Sequence, residues 1–242
     1  MIEIKNLHKS FGSKKVLNGV DFIINKGETV VIIGQSGCGK SVLIKHIVGL
    51  LTPDKGDVIV EGKVVNNLSI KELYDLRKKF GFLFQSAALF DSMTVEENVS
   101  LPLVESFSYS KKDIRKIVEE KLELVGLRDV LNLKPAELSG GMKKRVGLAR
   151  ALVTNPSYIL YDEPTTGLDP IMSDSIDLLI KDLAEKLSVT SIVVTHDMYS
   201  VKNVADRVAM MHEGKIYFNG STEELLNSSD KIISDFVRRT QI

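Results

Sequence analysis

The chain has 242 residues, room for one large domain or two modest ones, and its 43% hydrophobic and 26% charged residues are the mix of a globular protein with a substantial core. Thirty-two Lys and Arg balance thirty-two Asp and Glu, which argues against nucleic acid or an anionic membrane surface as the main partner. A single cysteine, Cys38, excludes an internal disulfide framework, and no leader or run of about 18 apolar residues stands in the sequence, so a cytoplasmic protein that does not itself cross a membrane is expected.

In chain order, IEIKNLHKSF and KKVLNGVDFIINKGE read as antiparallel strands. TVVII (29–33) is continuously apolar, the pattern of a strand buried on both faces, and a helix follows from Lys40. FGFLF (80–84) reads as a second buried strand, running into Gln85 and then the uncharged SAALF. From Asp91 to Asn155 helices replace strands; Ile114, Ile117, Val118, Leu122 and Val125 share one face, and Gly126 supplies a stop. SYILY (157–161) and SIVVT (191–195) are buried strands again, separated by an amphipathic helix that Asp169-Pro170 opens. VAMMHEGKIYFNG reads as a hairpin turning at Glu213-Gly214, and STEELLNSSDKIISDFVRRTQI as one or two short helices. This alternation predicts an α/β fold with a mainly parallel sheet. The expected division of a single 1–242 domain is a catalytic core of 1–90 and 156–220, a helical subdomain of 91–155 and a C-terminal helical extension of 221–242.

The chemistry begins at GQSGCGKS, comprising Gly34, Gln35, Ser36, Gly37, Cys38, Gly39, Lys40 and Ser41. It matches GxxxxGK[ST] between a buried strand and a helix, the context of a phosphate-binding loop. Glycines let backbone amides curl around a phosphate and the helix N-terminus adds positive charge. Lys40 is then the point charge for the β and γ phosphates of ATP, and Ser41 a Mg²⁺ ligand. Cys38 is a small residue that fits the turn and receives no chemical role. SYILYDEP ends a strand in two carboxylates: Asp162 suits a hydrated Mg²⁺, and Glu163 a general base for an attacking water.

His196 follows another apolar strand. Alone it reads more readily as a satisfied turn residue than as a catalytic one, but Gly34, Gln85, Asp162 and His196 each stand just past a strand's carboxyl end, the edge where open α/β sheets bind ligands. Gln85 is thereby placed to reach the same γ-phosphate, Mg²⁺ and water. In AELSGGMKKRVGLARAL, Ser139 is a candidate N-cap and Gly140 and Gly141 expose amides; a second anion site and an ordinary capped helix both remain open. Lys143, Lys144 and Arg145 read as a solvated face.

In this order, GQSGCGKS, Gln85, LSGGM, YILYDEP, TGLDP and THD resemble the ATP-binding subunit of an ABC transporter. The resemblance implies a P-loop NTPase with a RecA-like core, an N-terminal antiparallel β subdomain and an ABC-specific helical subdomain. It implies a homodimer in which each ATP lies between one subunit's phosphate loop and the other's Ser139, Gly140 and Gly141. Phe11 corresponds to the residue that stacks on adenine, though it also reads as a simple strand residue, with Val16 beside it; His196 corresponds to the γ-phosphate switch, and Asp169 to the loop coupling the two sites. Met142 and Phe11 depart from the usual glutamine and tyrosine without removing a catalytic group.

LSGGMKKRVGLARAL, FLFQSAALFDSMTVEENVSLPL and YDEPTTGLDP resemble in particular the ATPases of the Mla (maintenance of lipid asymmetry) system and its Mce-type relatives. That likeness implies phospholipid transport between inner and outer membranes, from the cytoplasmic face of the inner membrane. The implied partners are an integral membrane permease docked on Ser86 to Phe90 and the segment through Leu103, a small STAS-domain regulator contacting Ser228 to Ile242, and an Mce-domain lipid-binding subunit. The alternatives are another ABC importer or exporter, of amino acids or lipoproteins, or a soluble ABC ATPase acting on nucleic acid or protein assembly.

Overall fold

Alternating apolar and polar residues build two long strands, β1 (Ile2–Phe11) and β2 (Lys14–Ile24), that pair antiparallel and bury one face. β3 (Thr29–Gly34), helix α1 (Lys40–Ile47), β4 (Lys55–Val60), β5 (Lys63–Val64), α2 (Ile70–Arg77) and β6 (Phe80–Leu83) follow. Three helices come next: α3 (Val95–Ser106), α4 (Lys111–Leu124) and α5 (Gly140–Leu152). Then β7 (Tyr158–Asp162), α6 (Pro170–Leu187), β8 (Thr190–Val194) and α7 (Met198–Val204) lead to the hairpin β9 (Arg207–His212) and β10 (Lys215–Gly220), and to α8 (Thr222–Leu226) and α9 (Lys231–Thr240). The computed structural model describes residues 1–106 and 109–240. Residues 107–108 of the expected helical subdomain and 241–242 of the expected C-terminal extension lie outside the described residues.

Two sheets result. One is antiparallel, in the order β2-β1-β4-β5; the other runs β10-β9-β3-β8-β7-β6 and is parallel except where β10 pairs with β9. The expected α/β class, with an antiparallel N-terminal sheet and a mainly parallel one, is the class the chain adopts. Successive strand side chains point to opposite faces, so each inner parallel strand feeds two cores. Val30 and Ile32 join Leu160 and Ile192 in the core shared with β1, β2 and α1, while Val31 and Ile33 join Ile159 and Val193 against the helices. Double burial is the reason these runs are continuously apolar, and each such side chain contributes about 1.5–3 kcal/mol.

FGFLF corrects the reading of a strand buried on both faces. β6 is an edge strand: Gly81 and Leu83 are buried, whereas Phe80 and Phe82 are partly exposed along a groove. Phe80 stacks on Tyr158 (centroids 4.9 Å apart) and Phe82 on Phe84 (4.2 Å), so the run is apolar because its rings cover one another. Gly81 lets α5 approach the strand; a Cβ there would stand 2.4 Å from the Ala151 carbonyl oxygen. Among the described residues no helix is long and apolar enough to cross a membrane.

Candidate active site

Because β3, β8, β7 and β6 are mutually parallel, Gly34, His196, Asp162 with Glu163, and Gln85 emerge at one rim of the sheet. There they meet a cavity of about 1060 Å³, lined by Phe11, Val16, Gln85, Glu163, His196 and the loop residues Gly34, Gln35, Ser36, Gly37, Gly39, Lys40 and Ser41. Phe11, at the end of β1, leaves its ring 48% exposed on this cavity, with the Lys9 ammonium 5.6 Å from the ring centroid. Cys38 is not in the lining. Its sulfur sits against Gly34, and burial pushes the thiol pKa up against the opposing pull of Lys40, which suits a space-filling residue and not a reactive thiolate.

The loop keeps its shape through sterics. Gly34 has φ 149°, and a Cβ there would lie 2.5 Å from the Met211 carbonyl oxygen of neighbouring β9. Lys40 is nearly buried, and its ammonium donates to the carbonyls of Gly34 (2.8 Å) and Gln35 (3.3 Å), so the charge is held inside the curl of the loop. The Ser41 hydroxyl donates to Asp162 Oδ1 at 2.9 Å. A hydroxyl, a carboxylate and the nearby Gln85 amide form a hard oxygen donor set that fits Mg²⁺, which takes few protein ligands and completes its shell with water and phosphate oxygens. Among the described residues no three His, Cys, Asp or Glu cluster as a metal site.

Glu163 adopts φ 51°, a left-handed conformation unfavourable for a side chain with a Cβ and costing on the order of 1–3 kcal/mol. Its amide donates to the Val194 carbonyl at 2.8 Å, which ties the end of β7 to β8. Its Oε2 takes the Thr166 hydroxyl at 3.2 Å and stands 2.8 Å from His196 Nδ1. The candidate base and the candidate switch histidine thus hold each other.

Lys144 corrects the reading of Lys143 to Arg145 as a solvated face. It is 5% exposed, its ammonium donates to the backbone carbonyls of Gln85 and Glu163, and burial lowers its pKa against the raising pull of Glu163 and Asp162. Arg145 likewise turns inward, donating to the Val125 carbonyl and the Ser175 hydroxyl. The signal was present: Gly141, Lys144, Leu148 and Ala151 recur at the spacing of one helical face, and all four are buried. Arg150, also overlooked, donates to the carbonyls of Ala87 (2.6 Å) and Ala88 (2.8 Å), two residues at positive φ, 59° and 47°.

Ser139, Gly140 and Gly141 do not line the cavity. Ser139 caps α5 through a hydrogen bond from the Met142 amide (3.2 Å), and Asp169 caps α6 through one from Met172 (3.0 Å). The SAALF stretch divides. Ala88 and Phe90, with Phe82, Phe84, Leu101, Pro102 and α2 residues including Tyr74 and Arg77, line a second cavity of about 490 Å³. Ala87 is buried, and Leu103 is buried in the helical-side core, so Ser86 to Leu103 is not a continuous lining as expected.

The sequence model of the ABC transporter family matches residues 17–166. The chain is 42% identical over 238 residues to the intermembrane phospholipid transport system ATP-binding protein MlaF of Haemophilus influenzae, covering 98% of this chain and 90% of that one. It is 46% identical over 231 residues to the methionine import ATP-binding protein MetN of Clostridioides difficile, covering 96% and 72%. The dimeric ATP-binding cassette MJ0796, in a post-hydrolysis state bound to ADP and Pi, superposes with a TM-score of 0.84 at 36% identity over 92% of this chain and 99% of that one. Phosphate loop, strand-end carboxylates and LSGGM helix therefore stand in a shared architecture, and the chain belongs to the ABC transporter family as an ATP-hydrolysing subunit.

Proposed function

We propose that this ATPase drives phospholipid movement between the inner and outer membranes as the motor of an Mla-type transporter. The observation that carries the catalytic reading is the convergence of Lys40, Ser41, Gln85, Glu163 and His196 on one cavity at the carboxyl rim of the sheet. The lipid reading is supported by the near full-length likeness to a phospholipid transport ATPase. In this reading Phe11 stacks on adenine with Val16 beside it, and the amides of residues 34–41 and Lys40 hold the phosphates. Mg²⁺, held by Ser41, Asp162 and Gln85, neutralises phosphate charge when bound. Glu163 orients a water toward the γ-phosphorus and accepts its proton as the P–O bond to ADP breaks. His196 leaves Glu163 to contact the γ-phosphate, so nucleotide arrival frees the base.

The second wall of the site comes from Ser139, Gly140 and Gly141 of another copy, whose capped helix points its N-terminus at the phosphates in a head-to-tail homodimer. Residues 91–155 act as the helical subdomain, 1–90 and 156–220 as the catalytic core. The aromatic cavity at Phe82, Phe84 and Phe90 receives a segment of the integral membrane permease, holding the ATPase at the cytoplasmic face of the inner membrane. A STAS-domain regulator and an Mce-domain lipid-binding subunit complete the assembly. The test is to isolate the chain with its membrane partner and extract the complex: bound phospholipid is expected. A complex devoid of lipid whose hydrolysis is stimulated by a free amino acid would replace this reading with amino-acid import, which the likeness to MetN favours.

A further inference from the structure

The nucleotide cavity has a wall that its motifs leave unexplained. Ile232, Asp235, Phe236, Arg239 and Thr240 of α9 line it together with Gln35 and Ser36 of the loop. Their spacing of i, i+3, i+4, i+7 and i+8 is one continuous helical face, so α9 runs along the cavity instead of touching it by its tip. Ile233, Phe236 and Val237 are buried in the helical-side core and fix the helix there. Its start is fixed as well. Asp230 Oδ1 accepts the amides of Ile232 (2.8 Å) and Ile233 (3.1 Å), and the Tyr217 hydroxyl donates to Asp230 Oδ2 at 2.8 Å. The Tyr217 ring meets His212 edge-on with centroids 5.5 Å apart, and His212 lines the same cavity.

Charge on this wall is unevenly satisfied. Asp235 is paired with Arg238 at 2.9 Å, and Lys40 is bound to loop carbonyls. Arg239 lines the cavity with no hydrogen bond or ion pair to any described residue. We propose that Arg239 is a phosphate-binding residue, its guanidinium contacting the polyphosphate of the nucleotide held by the loop of the same subunit. The proposal rests on the reading of this cavity as the ATP site. A guanidinium presents a planar fork of donors suited to phosphate oxygens, and the last turn of a helix favours a cation. Since Arg239 is exposed, screening limits its share to about three- to tenfold in affinity. The consequence is that the C-terminal helix, by its position, sets how tightly the subunit holds ATP.

The experiment measures AMP, ADP and ATP binding to the full chain by calorimetry, with magnesium chelated so that nothing turns over. Wild type is compared with Arg239→Ala, Arg239→Lys and Lys40→Ala. Arg239→Ala is expected to bind AMP normally and ATP roughly three- to tenfold more weakly, with ADP between, and Arg239→Lys to recover most of the loss. An equal loss for all three nucleotides, which a structural defect in α9 would produce, overturns the proposal. So does undiminished ATP binding by Arg239→Ala while Lys40→Ala binds poorly. Undiminished binding by both variants removes the nucleotide reading of the cavity itself.

Discussion

The two cavities are built from opposite materials. The larger is made of backbone curls, glycine and charge, and most of its motif side chains are engaged: Lys40 with loop carbonyls, Ser41 with Asp162, His196 with Glu163. The smaller is made of phenylalanine faces, with Phe84 and Phe90 36% and 50% exposed. A site of the first kind exchanges internal hydrogen bonds for those of a ligand, which makes its chemistry directional. A site of the second kind gains by covering apolar surface, which fits a macromolecular partner. Helix α5 joins them: Lys144 holds the carbonyls of Gln85 and Glu163, and Arg150, less than two turns on, holds those of Ala87 and Ala88. A displacement of α5 is felt at both.

The largest effect tests the directional side. Glu163→Gln keeps the shape of the side chain but not its basicity, and is expected to lower the rate of phosphate release by about 10²–10⁴ while ATP still binds. Hydrolysis near the wild-type rate would take Glu163 out of its role as base.

Lys144→Met tests the link. It takes the donor from two part-buried carbonyls that water can reach in part, and removes a buried charge, so a net loss of about 1–2 kcal/mol in urea denaturation is expected. Hydrolysis should fall with it, because Gln85 and Glu163 lose a common anchor. If stability and rate both stay at wild-type values, α5 is not the tie between the cavities.

Phe90→Asp tests the apolar side. Placing a carboxylate on a half-exposed aromatic should weaken recovery of an integral membrane partner by about tenfold or more, with little change in thermal stability. Undiminished recovery would move the docking surface elsewhere.

The same contrast governs what could be read from the sequence. The phosphate loop, the strand-end carboxylates and the rim they share were legible because each is a local pattern, a glycine spacing or a residue at the end of an apolar run. The cap at Ser139 and the start of α6 at Pro170 were legible for the same reason. What failed depended on tertiary context. FGFLF is an edge strand because no described strand pairs beyond it, which no window of residues reveals. Lys144 looks like any solvated lysine until the buried face of α5 is counted, and Arg239 reaches the larger cavity only because α9, distant in sequence from the loop, forms part of its wall.

The helices that follow Glu163 and His196, α6 and α7, meet over a buried carboxyl. Asp177 of α6 is 1% exposed and packs toward α7; neither of its oxygens has a partner within hydrogen-bond distance. Burial raises its pKa to about 6 from 3.8 against the downward pull of the Ser200 and Asn203 side chains, and Asp197 and Asp174 add to the rise. The sign follows from proton counting. Between pH 4 and 6 the folded chain keeps a proton that the unfolded chain has lost, so stability falls as pH rises through this window. Below about pH 4 the group is neutral in both states and costs nothing by ionising, whereas above pH 6 it is ionised and buried, at roughly 1–3 kcal/mol. Asp177→Asn, which mimics the protonated acid, should therefore match wild type at pH 4 and gain stability over it by pH 7.5, read from urea midpoints at the two pH values. A gap that fails to open between them would mean that water or a rotated Ser200 satisfies the carboxylate, and that the contact between α6 and α7 does not respond to protons.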